Sequence, residues 1–188
     1  MKEDFLKILK EKEGVLEGHF CLTSGLHSNM YFQCAKLYQY PDITAKFAKE
    51  LVQQLESLDY ETIVSPAIGA IIIGYETAKQ AGKRSLFVER KDDVMQLRRG
   101  YTLKKGEKIV ILEDVITTAR TVQETLKAVA SFEPKVVGVA CIVDRSDGNS
   151  GFDIKSVLKI RPEVYKPEDC YMCKAGIPIE KPGSRKKV

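Results

Sequence analysis

The stretch from Lys108 to Glu124 carries the densest chemistry in the chain. An apolar run over 109–112 is followed by the acidic pair Glu113-Asp114 and then by Val115-Ile116-Thr117-Thr118-Ala119-Arg120-Thr121. The run reads as a buried strand, so two carboxylates fall at its carboxyl end, just before a hydroxyl-rich turn and a helix. Carboxylates accept hydrogen bonds from sugar hydroxyls, and backbone N–H groups at a turn and a helix start hold phosphate. The arrangement suits a sugar phosphate. Thr121-Val122-Gln123-Glu124 has the Thr-x-x-Glu form of a capping box and starts the helix at Thr121. The same pattern also fits an ordinary strand–turn–helix corner with surface carboxylates. No Gly-x-x-x-x-Gly-Lys-Ser/Thr run occurs, which excludes a P-loop ATPase.

The surrounding elements must deliver further groups to the same place. Pro41-Asp42 opens a helix whose Phe47, Leu51, Leu55 and Leu58 share one face. Residues 61–65 read as a short buried strand and 66–70 as a small-residue turn, followed by a helix to about Gln80 that Gly82 stops. Residues 84–89 read as a second strand and 90–100 as a charged loop. Residues 101–103 and 108–112 flank a Lys105-Gly106 turn. The helix from Thr121 runs to about Ser131, a strand over 135–143 ends in Asp144-Arg145, and 156–160 form a further strand. Strands alternating with helices predict an α/β fold with a mostly parallel central sheet flanked by helices, and such sheets bind ligands beyond the carboxyl ends of their strands. Ser65-Pro66-Ala67, Glu89-Arg90, Glu113-Asp114 and Asp144-Arg145 all fall at such ends. Four polar or turn clusters on one rim are stronger evidence for a site than any one alone.

The 188 residues suit a single domain. The net charge of +4, partly carried by the tail over 181–187, does not argue for nucleic acid, and no basic recognition helix is visible. The longest apolar runs, such as 70–74, are too short to span a membrane. Residues 1–14 read as an amphipathic helix rather than a signal peptide, so a cytoplasmic location is expected. The five cysteines are scattered and read as reduced thiols. Cys170-x-x-Cys173 is the only close pair. A four-cysteine zinc site needs a second pair and none is present, so a packed terminal turn is expected, with zinc or redox work as the alternative. His19 and His27 are the only histidines.

Glu-Asp-Val-Ile-Thr-Thr-x-x-Thr after an apolar strand resembles the phosphoribosyl pyrophosphate (PRPP) motif of type I phosphoribosyltransferases. Other segments, in order along nearly the whole chain, resemble the orotate phosphoribosyltransferase family: Leu22-Thr23-Ser24-Gly25-Leu26-His27-Ser28 with Tyr31-Phe32-Gln33; Ser65-Pro66-Ala67-Ile68-Gly69-Ala70; Glu89-Arg90-Lys91 with Leu97-Arg98-Arg99-Gly100; Asp144-Arg145; and Gly176-Ile177-Pro178 with Lys181-Pro182-Gly183-Ser184-Arg185. The resemblance implies a type I phosphoribosyltransferase fold with a small hood formed by segments at about 1–40 and 150–188. It also implies transfer of phosphoribose from PRPP to orotate, giving orotidine 5′-monophosphate and pyrophosphate in pyrimidine (UMP) biosynthesis, with Mg²⁺ held mainly by PRPP and no firm protein ligand. By resemblance, PRPP is held by Glu113, Asp114, Val115, Ile116, Thr117, Thr118, Ala119, Arg120 and Thr121, by Ala67, Ile68 and Gly69, and by Arg90 and Lys91. Arg90, Lys91 and Asp114 are the catalytic candidates. Ser24, Tyr31, Phe32, Thr117 and Arg145 line the orotate pocket. The family forms homodimers in which loop residues reach the neighbouring site.

Some positions depart from the family pattern. Ala119 and Arg120 stand where glycine and a small residue are usual, and Ala119 fits if its φ is negative. Val94 stands at the position of a catalytic lysine, whose charge falls to Arg90, Lys91 and Arg98. Gly69 and Thr23 replace lysines found in some members. A phosphoribosyltransferase for another base and a non-catalytic PRPP or nucleotide sensor are the alternatives, the second kept open by Val94 and Arg120.

Overall fold

Two sheets of unequal size organise the chain. The computed structural model describes residues 4–22, 24–148 and 150–182. Helix α1 (Phe5–Glu11) leads to strands β1 (Val15–Cys21) and β2 (His27–Phe32), and a 3₁₀ turn (Cys34–Gln39) leads to α2 (Pro41–Leu55). Then follow β3 (Thr62–Pro66), α3 (Ile71–Ala81), β4 (Arg84–Lys91), β5 (Val94–Leu97), β6 (Lys108–Ile116), α4 (Arg120–Val129), β7 (Lys135–Asp144), β8 (Ile154–Lys159), β9 (Val164–Tyr165) and the short helix α5 (Tyr171–Lys174). The larger sheet has the order β5-β4-β3-β6-β7-β8, with every pairing parallel except β4–β5. The smaller sheet, β1-β2-β9, is antiparallel and draws strands from both ends of the chain.

Alternation along the central strands decides which helix covers which face, because successive residues of a strand point to opposite sides. Val110 and Leu112 of β6, Ile63 of β3, and Ala140 and Ile142 of β7 pack with Phe47, Leu51 and Leu55 of α2 and Ile73 of α3. Ile111 of β6 and Val139 and Cys141 of β7 pack instead with Val122 of α4, and Val64 and Ile109 join Leu86, Val88 and Val129. Strands buried on both faces read as continuous apolar runs, which is why 109–112 stood out.

Three expectations need correction. Residues 90–100 are not a loop: β4 continues to Lys91 and pairs with β5 through Lys91↔Val94. Asp92 and Asp93 close this hairpin with φ of 50° and 60°. Two consecutive positive φ values are those of a two-residue I′ turn, which Asn-Gly would have signalled more clearly than Asp-Asp. Residues 101–103 form no strand. Helix α4 begins at Arg120 and not through a Thr121 cap: Ala119 is the N-cap, at φ 55°, and no side chain caps it. The condition under which alanine fits this glycine position, a negative φ, is therefore not met, and Ala119 adopts the left-handed conformation itself. Elsewhere the boundaries shift little. Gly82 ends α3 in the left-handed conformation at φ 65°, and α1 stops short of Gly14. Thr23 and the Gly183-Ser184-Arg185 ending lie outside the described residues.

Candidate active site

Strand β6 carries Glu113 and Asp114 to the rim of the large sheet, and both carboxylates fold back on the backbone. The Asp114 N–H donates to Glu113 Oε2 at 3.0 Å, and the Val115 N–H donates to Asp114 Oδ1 at 2.8 Å. Glu113 is buried. Burial first, and the neighbouring Asp114 charge second, raise its pKa to about 9, although the Thr121 hydroxyl donates to it. Burial also raises Asp114. The two carboxyls titrate as a pair and hold fewer than two negative charges near neutrality. Such a pair is set to gain from hydroxyl donors or a cation.

Behind Glu113 lies a cavity of about 40 Å³ lined by Val115, Ile116, Thr117, Thr118, Ala119, Arg120, Thr121 and Val122. At roughly 10–15 Å³ per water it holds the equivalent of about three waters, the scale of one tetrahedral anion and far below that of a base. The uncapped start of α4 leaves its first N–H groups without intrahelical partners, and the helix dipole favours an anion there. Arg120 lines this cavity and pairs with Glu124. Its side chain is exposed, and Nε donates to Glu124 Oε1 at 3.0 Å. Glu124, expected to complete a capping box, instead binds two guanidiniums, Arg120 and Arg90.

On the other side of the pair sits the turn after β3. The Ala67 N–H donates to the Val88 carbonyl at 2.7 Å, Ala67–Ile68 is a cis peptide, and Ile68 is exposed. A Cβ on Gly69 would lie 2.8 Å from Asp114 Oδ2. Only glycine lets the turn approach the carboxylate this closely, and a lysine there would displace Asp114. A cavity of about 300 Å³ opens beside the turn, lined by Ala35, Tyr38, Gln39, Ile68, Gly69 and Ile72. Tyr38 is a further residue beside the acidic pair. Its hydroxyl is buried without a hydrogen-bond partner, and burial together with the Asp114 charge holds its pKa well above the ordinary value. No local sequence pattern marks it.

The hairpin cations are already engaged. Arg90 donates to the Asp93 carbonyl at 2.7 Å and pairs with Glu124. Arg98 reaches Glu89 at 3.0 Å, and Arg99 chelates the same carboxylate at 2.8 and 2.9 Å. Lys91 is exposed at the hairpin end. Of the three cations expected to cover the lysine missing at Val94, Arg90 is held by Glu124 and Arg98 by Glu89, while Lys91 is exposed.

The base-side candidates converge in part. Arg145 follows β7, and its N–H donates to the Ile116 carbonyl at 2.8 Å. Its guanidinium carbon lies 4.8 Å from the centre of the Phe32 ring. The Arg145 Nε is buried without a partner, and burial lowers the pKa of the side chain. A desolvated guanidinium with an unused donor over an aromatic face is prepared for a planar anion. Tyr31, the next residue along β2, leans instead on Phe20, with ring centres 5.8 Å apart. Ser24 is exposed in the turn before β2, its hydroxyl 3.4 Å from the Leu26 N–H. Thr117 is exposed at the mouth of the phosphate-sized cavity.

Among the described residues, the one grouping of three or more His, Cys, Asp or Glu ligands lies away from the acidic pair, at His19, His27, Cys170 and Cys173. The pair itself offers only carboxylate oxygens. That donor set fits a hard cation such as Mg²⁺, which is commonly held by one or two carboxylates together with substrate phosphates.

The parallel sheet and the anion cradle define a class, and comparison supplies its name. Residues 36–171 match the Phosphoribosyl transferase domain. The orotate phosphoribosyltransferase of Caldanaerobacter subterraneus subsp. tengcongensis is 46% identical over 187 residues, covering 98% of each chain. That of Caldicellulosiruptor bescii is 44% identical over 188 residues, covering 99% of each. Among solved structures, orotate phosphoribosyltransferase from Aeropyrum pernix superposes with a TM-score of 0.70 at 23% identity, over 82% of this chain and 92% of that one. The chain belongs to the phosphoribosyltransferase family, in its orotate phosphoribosyltransferase branch.

Proposed function

We propose that this chain transfers phosphoribose from PRPP to orotate, forming orotidine 5′-monophosphate and pyrophosphate in pyrimidine (UMP) biosynthesis. The observation that carries the reading is the pair Glu113-Asp114 between a phosphate-sized cradle and the Gly69 turn, with the unpartnered Arg145 guanidinium on the same rim. In the reaction the C1′–O bond to pyrophosphate breaks, a C1′–N bond to the orotate ring forms, and the ring nitrogen loses its proton.

Each group has a task in that exchange. Glu113 and Asp114 accept from the ribose hydroxyls and stabilise positive charge as the sugar becomes oxocarbenium-like. The N–H groups and hydroxyls from Val115 to Thr121 hold the 5′-phosphate, with Ala119 and Arg120 contributing backbone only. Ala67, Ile68 and Gly69 present their turn to the pyrophosphate. Arg90 and Lys91 offset the charge that grows on the leaving oxygen. Arg145 takes the anionic edge of orotate, Phe32 supports that guanidinium from behind, and Ser24, Tyr31 and Thr117 complete the base pocket. Mg²⁺, when bound beside the acidic pair, neutralises pyrophosphate charge. The small sheet serves as the hood. The active unit is a homodimer whose hairpin reaches the partner's site, and it works in the cytoplasm with small-molecule substrates and no nucleic acid. No helix among the described residues is long and apolar enough to cross a membrane.

The test is the reaction. With PRPP, Mg²⁺ and orotate, the ultraviolet absorbance of orotate falls and pyrophosphate appears in equal amount, while adenine or uracil in orotate's place gives no nucleotide. PRPP binding without turnover would favour a sensor, and faster turnover of another base would reassign the substrate.

A further inference from the structure

We propose that His19, His27, Cys170 and Cys173 form a structural zinc site that fastens the carboxyl-terminal segment to the small sheet. His19 lies in β1, His27 opens β2, and Cys170 and Cys173 bracket the first turn of α5. The four ligand atoms all lie within 4.8 Å of one another. His19 Nε2 is 3.0 Å from His27 Nδ1, 3.5 Å from Cys170 Sγ and 3.7 Å from Cys173 Sγ, and Cys173 Sγ is 3.3 Å from His27 Nδ1.

Hydrogen bonding alone serves this arrangement poorly. His19 Nδ1 lies 2.8 Å from the Ile177 carbonyl, which can only accept, so Nδ1 carries the proton. In the neutral ring Nε2 is then a bare lone pair, and three other heteroatoms crowd it. One lone pair accepts one good hydrogen bond, but one metal ion engages all four atoms. Four of the six separations are close to those of a tetrahedron, whose edge is about 1.63 times the centre-to-corner distance. With Zn–N near 2.0 Å and Zn–S near 2.3 Å, the edges come to about 3.3 Å for N···N and about 3.5 Å for N···S. The Ile177 contact is also the outer partner that metal-bound imidazoles usually have. Two imidazoles and two thiols in tetrahedral array select zinc over hard cations.

Burial indicates a structural role. His19, His27 and Cys170 are buried, while Cys173 is exposed and leaves an entry path. Four protein ligands fill the coordination sphere and leave no open position for substrate. All five cysteines are free thiols. The clamp joins residues 151 positions apart in sequence, beside two backbone bonds that hold the same segment to β1, Cys21 N–H to the Glu180 carbonyl and Glu180 N–H to the His19 carbonyl, both 2.8 Å. The site needs no assumption about the reaction.

The full-length protein, purified under reducing conditions without chelator, is analysed by mass spectrometry of its metals. One zinc per chain is expected. Cys170→Ser and Cys173→Ser should each lose nearly all of it, with Tm lower by about 10 °C or more, whereas Cys34→Ser keeps its zinc. If the ligand variants fail to fold, the wild-type protein decides: exchange with Co²⁺ should give the intense d–d bands of a tetrahedral centre together with thiolate-to-cobalt charge transfer. Wild-type protein that holds no zinc and takes up neither Zn²⁺ nor Co²⁺ would overturn the proposal. So would full zinc content in Cys173→Ser, or a Cys170–Cys173 disulfide in the purified protein.

Discussion

The two sheets hold their functional groups by different physics. In the large sheet β3 is buried at every position and the middle of β6 is buried from Ile109 to Glu113, so packing on both faces fixes where Glu113 and Asp114 emerge. In the small sheet β1 is buried only at Val15, His19 and Phe20, and β9 contributes only two residues, neither of them buried. Its groups are set by cross-links: the Arg145 guanidinium over Phe32, the bridge from Glu180 to β1, and the His–Cys cluster. A packed sheet can present a fixed anion cradle from a strand end. A thin sheet needs ties to distant chain to hold its groups in place.

The largest expected break falls on the packed rim. Asp114→Asn keeps the shape and removes the charge, so kcat/KM should fall about 10²–10³-fold, or about 3–4 kcal/mol of transition-state stabilisation. Unchanged PRPP affinity and rate would remove Asp114 from the site. Hydrogen exchange sharpens the contrast directly. Amides of β3, β6 and β7 should exchange near the global unfolding limit, and those of β1 and β2 roughly 10²-fold or more faster once the protein is treated with chelator. Equal protection in both sheets would erase the distinction.

The hairpin supplies a smaller effect. Arg90→Ala should lower kcat about tenfold, while Arg120→Ala, whose exposed side chain pairs with Glu124, should change it less than about threefold. The reverse order would place Arg120 on substrate. The smallest effect is a pH dependence. The pKa of Glu113 is raised by burial from 4.5 to about 9 in the folded protein, so the folded state binds more protons than the unfolded one between those values. Its contribution to stability is complete below about pH 4.5 and is lost as pH rises through about 9. Ligand-free protein should therefore lose Tm across that window, and Glu113→Gln should flatten the decline by a fraction of about 1.4 kcal/mol per pH unit. An identical slope in the variant would show that Glu113 does not carry it.

What the sequence made legible follows the same division. The run 109–112, the acidic pair, and the face of Phe47, Leu51 and Leu55 were readable because doubly buried strands and amphipathic helices write their burial into local periodicity. The β4–β5 hairpin was hidden because its charges mimic a loop and Asp-Asp is a weak turn signal. Glu124 was misread because its partner, Arg90, lies 34 residues away. Tyr38 comes under the influence of the Asp114 charge through the fold alone. Cys170 and Cys173 lacked a second cysteine pair, and the histidines that replace one lie on a hairpin near the other end of the chain.

Steady-state kinetics of Arg145→Ala, with PRPP and orotate each varied, separates the base side of the rim from the PRPP side. KM for orotate should rise at least about tenfold while KM for PRPP stays within about threefold, if the guanidinium meets only the base. An unchanged KM for orotate, or a rise confined to PRPP, would contradict the assignment of this rim to phosphoribosyl transfer onto orotate.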